Sequence, residues 1–464
     1  MRSLIISLFA ASMVSAAERP NVVFFLVDDL GYSDLACYGN PLHETPHVDQ
    51  LAKEGMRFTD AYAASAVCSP TRASIQSGQY PVRFGITDWI PGARKANQRM
   101  LERHTERMLP LETVTVAEAF HEAGYKTAFV GKWHLHDRDH TTGFPEDQGY
   151  ETNIGGHHKG APPGGYFAPF ENPKMEDKPG DEYLTDRLGD EAVSLIEDYA
   201  GAGEDPFFLM LAFYTVHSPV EAKPELEAYY REKLKDDPSS PWKNSAYAAM
   251  VQSLDENVGR VLKALDRMGI SDETLVVFFS DNGGLHRNTT NVPLSQGKGY
   301  YHEGGIRVPL IMRYPGRVTA GSESEQPVIS NDLFPTLLDL AGLPLRPQDH
   351  KDGISLKPLL HGEPFSGHEA LYWHYPHYHG AGETPASVIR MGDYKFIRHY
   401  DGGLRELYFL QDDIGETNNL VHTMPEKAAE LEAELDEWLK ERGAHIPQLN
   451  PDFNSPLKEN KTEK

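Results

Sequence analysis

The sequence predicts an α/β protein: a large, mostly parallel, doubly wound sheet followed by a smaller C-terminal domain of antiparallel sheet plus helix. Three observations carry this. Four continuous apolar runs recur along the first part of the chain, helical stretches separate them, and beyond residue 345 the apolar runs become short and closely spaced. Continuous apolar runs mark strands covered on both faces, and their alternation with helices is how parallel sheets are built.

The first run, Asn21–Val27, ends in Asp28-Asp29. The next three lie at residues 126–130, 207–213 and 274–280, and each also ends in polar, chemically capable residues: Lys132 and His134, His217, and Asp281-Asn282. Helices are expected at 48–54, 114–123, 184–199 and 246–268, with Gly55, Gly124 and Gly269 as left-handed closing residues. Ligands of open parallel sheets sit beyond the carboxyl ends of the strands, so these four distant segments are expected to converge on one site. A further helix, 332–340, leads to short strands near 370–373, 387–390, 394–397 and 406–410, then to a charged helix over Pro425–Glu441. The expected division is a leader at 1–16, a catalytic α/β domain at 18–345, a smaller α+β domain at 346–447 and a polar, loosely held tail at 448–464.

Composition narrows the function. With 464 residues and 39% hydrophobic content the chain is globular and longer than one ordinary core requires. A net charge of −25 argues against a nucleic-acid partner. Met1-Arg2-Ser3, an apolar stretch and Val14-Ser15-Ala16 have the form of a secretory leader too short to span a bilayer, so the mature protein is expected to be periplasmic or secreted, without membrane insertion. Cys37 and Cys68 are the only cysteines. If Cys68 is used chemically it must stay unpaired, which leaves Cys37 as a small buried residue.

Cys68-Ser69-Pro70-Thr71-Arg72 places a potential nucleophile and an anion-binding arginine on one short, small-residue stretch. Asp28, Asp29 and Asp281 with Asn282 offer three carboxylates and an amide, an all-oxygen set suited to a hard cation, with calcium fitting better than magnesium. Arg72, Lys132, His134, His217 and Lys298 add positive groups around it. A cation beside several positive groups is what a tetrahedral oxyanion needs as charge shifts to its leaving oxygen, so sulfate and phosphate esters are the candidate substrates.

These segments make the chain resemble the formylglycine-dependent sulfatases of the alkaline phosphatase superfamily, arylsulfatases among them. The matching stretches are Cys68-x-Pro70-x-Arg72, Arg19-Pro20-Asn21 through Asp28-Asp29-Leu30-Gly31, Gly131-Lys132-Trp133-His134 and His217-Ser218-Pro219. Ser280-Asp281-Asn282-Gly283-Gly284 and Gly297-Lys298-Gly299 through Pro309 follow in order. The resemblance implies that a separate maturation enzyme oxidises Cys68 to formylglycine, and that one Ca2+ is held by Asp28, Asp29, Asp281, Asn282 and position 68. It further implies that a hydroxyl of the hydrate attacks sulfur, with Asp281 as a base. His217 and Lys298 hold the sulfate and stabilise the leaving oxygen, His134 takes the second hydroxyl's proton, and Arg72 and Lys132 hold the formylglycine oxygens. Loops carrying Trp89, His157, His158, His377 and His379 are candidates for binding the alcohol part, read as a sulfated saccharide of galactose or N-acetylgalactosamine type attacked at its end. The competing readings are a phosphonate monoester hydrolase or phosphodiesterase, and a calcium-stabilised glycan-binding protein without turnover.

Overall fold

The computed structural model describes residues 19–92, 97–178, 180–203 and 205–454; the leader expected at 1–16 lies outside them. Eight strands form the main sheet: β1 Asn21–Val27, β2 Met56–Phe58, β3 Lys126–Gly131, β4 Thr152–Ile154, β5 Phe207–Ala212, β6 Thr274–Ser280, β7 Leu310–Arg313 and β8 Ser322–Ser324. Their spatial order is β8-β2-β7-β6-β1-β5-β3-β4. β1 pairs in parallel with both β5 and β6, and β7 alone is antiparallel to its two neighbours. The four long strands are the four apolar runs of the sequence. The three-residue strands β2, β4 and β8 are too short to leave a periodic signal.

Alternate residues of β1 feed two separate cores. Val23, Phe25 and Val27 pack under the helices Leu184–Ala202 and Ser245–Arg267, while Val22, Phe24 and Leu26 share the opposite face with the helices Cys68–Ser77 and Leu333–Leu340. Both faces of the strand are therefore dry, which is why it reads as an unbroken apolar run. Gly124 and Gly269 adopt the expected left-handed conformation, with φ of 80° and 71°. Gly55 does not: its φ is −126°, and a Cβ there would lie 2.3 Å from the Met312 carbonyl oxygen. Close approach of two backbones, and not a turn, requires glycine at 55.

The smaller sheet comprises β9 Leu371–Tyr375, β10 Ala386–Met391, β11 Tyr394–His399 and β12 Arg405–Phe409, antiparallel throughout. The helix Pro425–Glu441 covers it through Leu431, Leu435 and Trp438, whose ring stacks on Tyr372 at 4.7 Å. Polar contacts fasten this sheet to the earlier part of the chain. The Trp373 indole donates to the Ala63 carbonyl at 2.8 Å, and the fully buried Lys395 bridges Glu303 and Glu416. The stretch from Gln448, expected to be loosely held, is tied down in its described part: Gln448–Leu449 pairs with Met100–Leu101, and Asn450 donates to the carbonyls of Gln98 and Arg99.

Candidate active site

Cys68 is the first residue of the helix Cys68–Ser77, all ten residues of which are buried. Small side chains let this helix sit deep in the protein, and Thr71 closes the entering turn by exchanging hydrogen bonds with the Ser65 backbone. The helix start presents backbone amides and the positive end of the helix dipole to position 68, a setting that favours an anion. Arg72 lies one turn further on, on the same face as Cys68. Cys68 and Cys37 are both free thiols; Cys37 is partly exposed, contrary to the expected burial, and its amide donates to Asp49.

The strand ends converge as the sequence predicts. Lys132 donates from Nζ to Asp28 Oδ2 at 2.7 Å, both groups fully buried. Arg72 donates from Nε to Asp281 Oδ2 at 2.8 Å and from Nη1 to the Lys132 carbonyl at 2.6 Å. Lys298 Nζ lies 2.6 and 2.8 Å from the two oxygens of Asp29, and Asn282 donates to Asp29 Oδ1 at 2.8 Å. His217 Nε2 stands 3.9 Å from Asp29 Oδ2. Two of these residues occupy left-handed backbone, Asp29 at φ 62° and His134 at φ 58°. Such backbone costs roughly 1 kcal/mol for a residue with a Cβ. Specific partners hold it, the Asp29 amide donating to Asp281 Oδ1 and the His134 amide to the His157 carbonyl.

Charge is distributed unevenly over the carboxylates. Burial pushes the Asp28 carboxyl well above its usual range, against the pull of Lys132 and with the added repulsion of Asp281. Burial acts on Asp29 too, but Lys298, His217 and Lys132 outweigh it and hold that carboxyl below its usual range. Each oxygen of Asp281 accepts one hydrogen bond, Oδ2 from Arg72 and Oδ1 from the Asp29 amide. Arg72 and Lys132 grip carboxylates and a carbonyl.

His134 is poised. Its Nε2 lies 2.6 Å from the Ile90 carbonyl oxygen, which can only accept, so the ring proton is on Nε2 and the Nδ1 lone pair faces Cys68 Sγ at 3.3 Å. Burial first, then Lys132, pushes its pKa well below the ordinary value of 6.5, and burial with Lys298 does the same for His217. A base held neutral in this way keeps its lone pair as the pH falls. The acid limb of kcat/KM is therefore expected well below pH 6.5, and a limb at or above 6.5 in a pH–rate profile contradicts this assignment. Sequence reasoning missed the residues that aim His134. Ser69 donates to the His134 carbonyl at 2.9 Å and accepts from the Ile90 amide at 3.0 Å, closing a ring of hydrogen bonds through Ile90.

Asp28, Asp29 and His217 each bring a ligand atom within 4.8 Å of the others, a grouping that could hold a metal ion. Asp281 and Asn282 abut it through their bonds to Asp29. Asp28 Oδ1 and Asn282 Oδ1 are buried oxygens without a hydrogen-bond partner among the described residues. Buried oxygens seldom stay unsatisfied, so this donor set fits a hard cation.

Above these groups opens a cavity of about 970 Å³, with Asp29, Cys68, His134, His217 and Lys298 among its lining residues. Trp89, His158 and His379 also line it, together with Tyr378 of the same candidate loop as His379, and with His286 and Arg287, which the sequence did not single out. Two expected saccharide contacts do not line it. His157 is fully buried and bonded to Tyr214 and the Lys159 amide, and His377 bonds to Thr87 and lines a different cavity, with Asp88 and Glu102. In both pairs of histidines one ring faces the cavity while the other braces the loop.

Residues 20–343 match the Sulfatase family model, and residues 296–444 match that of N-sulphoglucosamine sulphohydrolase, C-terminal. The chain is 35% identical to arylsulfatase A of Homo sapiens, over 85% of this chain and 77% of that one. It is 32% identical to N-acetylgalactosamine-6-sulfatase of Canis lupus familiaris, over 84% of this chain and 74% of the relative. Among solved structures, Ps i-CgsB in complex with k-i-k-neocarrahexaose is similar at a TM-score of 0.77 and 30% identity, covering 90% of this chain and 92% of that one. A buried thiol at a helix start, a neutral histidine aimed at it and a carboxylate cluster beneath thus sit inside a match that spans most of the molecule, and the chain belongs to the sulfatase family.

Proposed function

We propose that this sulfatase releases sulfate from the end of a sulfated saccharide of galactose or N-acetylgalactosamine type, through a formylglycine at position 68 and a bound Ca2+. The observation that carries the reading is the lone pair of His134 Nδ1 directed at residue 68 on the floor of a cavity that also holds His217, Lys298 and the indole of Trp89. An aromatic wall suits a sugar face, and a relative bears the name N-acetylgalactosamine-6-sulfatase. The site residues assigned here, and export of the mature chain, are part of the same proposal.

A separate maturation enzyme oxidises Cys68 to the aldehyde, which hydrates. One hydroxyl of the hydrate gives its proton to Asp281 and attacks sulfur as the bond from sulfur to the saccharide oxygen breaks, and that oxygen leaves as the alcohol with a proton from Lys298. Lys298, kept charged by Asp29, stabilises the leaving oxygen beside His217. His134 Nδ1 then removes the proton of the remaining hydroxyl, its electron pair forms the carbonyl, and the bond from carbon to the sulfate oxygen breaks. Sulfate departs and the aldehyde is restored. An ordinary serine or cysteine would stop at a covalent sulfate; the second hydroxyl supplies the route out. Asp28, Asp29, Asp281, Asn282 and residue 68 would hold the Ca2+, which when bound draws electron density from the oxygens around sulfur.

Mass spectrometry of the peptide spanning position 68, from a host with maturation machinery, is expected to show formylglycine in active enzyme; unmodified cysteine in fully active enzyme refutes the mechanism. EGTA is expected to abolish turnover and Ca2+ to restore it better than Mg2+. Faster release from internal residues of a sulfated polymer than from oligosaccharide ends overturns the exo reading.

A further inference from the structure

The charge lining the cavity is opposite to that of the molecule. The chain carries a net charge of −25, yet among the described residues that line the cavity Asp29 is the only carboxylate, and Lys298 already holds both its oxygens. Two further permanent cations remain, Lys159 and Arg287. Both are exposed at the mouth, on loops that follow different strands of the main sheet. Neither has a carboxylate within 4.0 Å among the described residues; the one side-chain bond of Arg287 is a long 3.5 Å contact to Ser218 Oγ, next in sequence to His217. Unpaired lysines on an open surface are ordinary. Two unpaired cations facing one cavity of an acidic protein, beyond those needed for the ester under attack, are not.

We infer that Lys159 and Arg287 form a second anion-binding subsite, so that the preferred substrate carries another anionic group, a sulfate ester or a carboxylate, besides the sulfate that is removed. The inference rests on the saccharide reading above for the identity of the substrate, but its chemistry concerns the second charge alone. A sulfate monoester brings one negative charge, and Lys298 with His217 meets it on the cavity floor. Cations at the mouth gain only if the departing group is charged as well. Arg287 offers a planar fork that suits a carboxylate or sulfate, and Lys159 a mobile point charge that adapts to its position.

The test compares ratios of kcat/KM. Disaccharides with one sulfate, with two sulfates, and with one sulfate plus a uronate carboxylate form one series; 4-nitrophenyl sulfate with and without a ring carboxylate forms another. The matured enzyme is expected to prefer the doubly anionic member of each series, and Lys159→Ala/Arg287→Ala to reduce that preference about 10- to 100-fold, chiefly through KM, the range expected for charge-assisted hydrogen bonds. The disulfate and uronate arms tell which anion is taken. No preference in the parent enzyme, or a preference that survives the double substitution, overturns the inference while leaving saccharide turnover intact. A preference among aryl esters that the substitutions abolish, without turnover of either class of disaccharide, upholds the subsite and refutes the saccharide reading.

Discussion

Cys68→Ala is expected to lower kcat by on the order of 10,000-fold or more, because it removes the group on which covalent catalysis depends while leaving the surrounding charges in place. The fold should survive. Cys68 is the first residue of its helix, its side chain makes one hydrogen bond among the described residues, with His134, and alanine is a better helix former. Cys68→Ser is the more informative variant. Its hydroxyl keeps a nucleophile facing His134 Nδ1 but lacks the second hydroxyl from which the aldehyde could be regenerated. It is expected to complete at most one slow turnover and to accumulate a sulfated peptide, visible by mass spectrometry as one added sulfo group at position 68. Sustained turnover by the serine variant at a rate near that of the parent would show that elimination from a hydrate is not how sulfate leaves.

Lys132→Met is expected to cost about 3–5 kcal/mol of stability, the usual result of removing one partner from a buried ion pair. Lys132 and Asp28 are both without solvent exposure, and Asp28 lies close enough to Asp29 and Asp281 to feel their charge. Methionine keeps most of the volume, so the loss reports the orphaned carboxylate and not a cavity. Asp28 can relieve part of the penalty by taking a proton. Its folded pKa is raised above the ordinary 3.8, so the native state retains a proton that the unfolded chain gives up. Removing Lys132 raises that value further, so parent and variant both keep the proton up to the parent's raised value. The deficit of the variant is smallest below it and grows above it, where the parent's Asp28 ionises against Lys132 and the variant's does not. Adding Asp28→Asn should recover most of the loss without restoring activity. Denaturant unfolding of the two variants at two pH values checks this, and an unchanged midpoint for Lys132→Met would remove the pair from the account of stability.

The sequence makes the central sheet legible because four of its strands are buried on both faces, which forces unbroken apolar runs. The polar residues that end those runs then stand at the carboxyl edge by geometry alone. That is how Asp28, Lys132, His217 and Asp281, far apart in the chain, could be placed together before any coordinates. Register within loops has no such rule. His157 and His158 are adjacent and chemically identical, yet one is sealed against Tyr214 and the other faces the cavity. No periodicity distinguishes them. Ser69 escaped notice for a related reason: its importance lies in two backbone groups, of Ile90 and His134, which only the folded chain brings to it. Gly55 closes a helix in sequence as a turn residue would, but what requires glycine there is close approach to Met312, on a strand distant in sequence.

Gly160 lies against the ring of His134 so closely that a Cβ there would come within 2.3 Å of its Cε1. The loop bearing His158 and Lys159 therefore cannot diverge as a free surface segment: every version of it must pass position 160 without a side chain or displace the imidazole from residue 68. Grafting a differently selective loop onto this scaffold is thus a problem with one fixed point, and a graft that carries alanine there should cost turnover on every ester, whatever it does to selectivity.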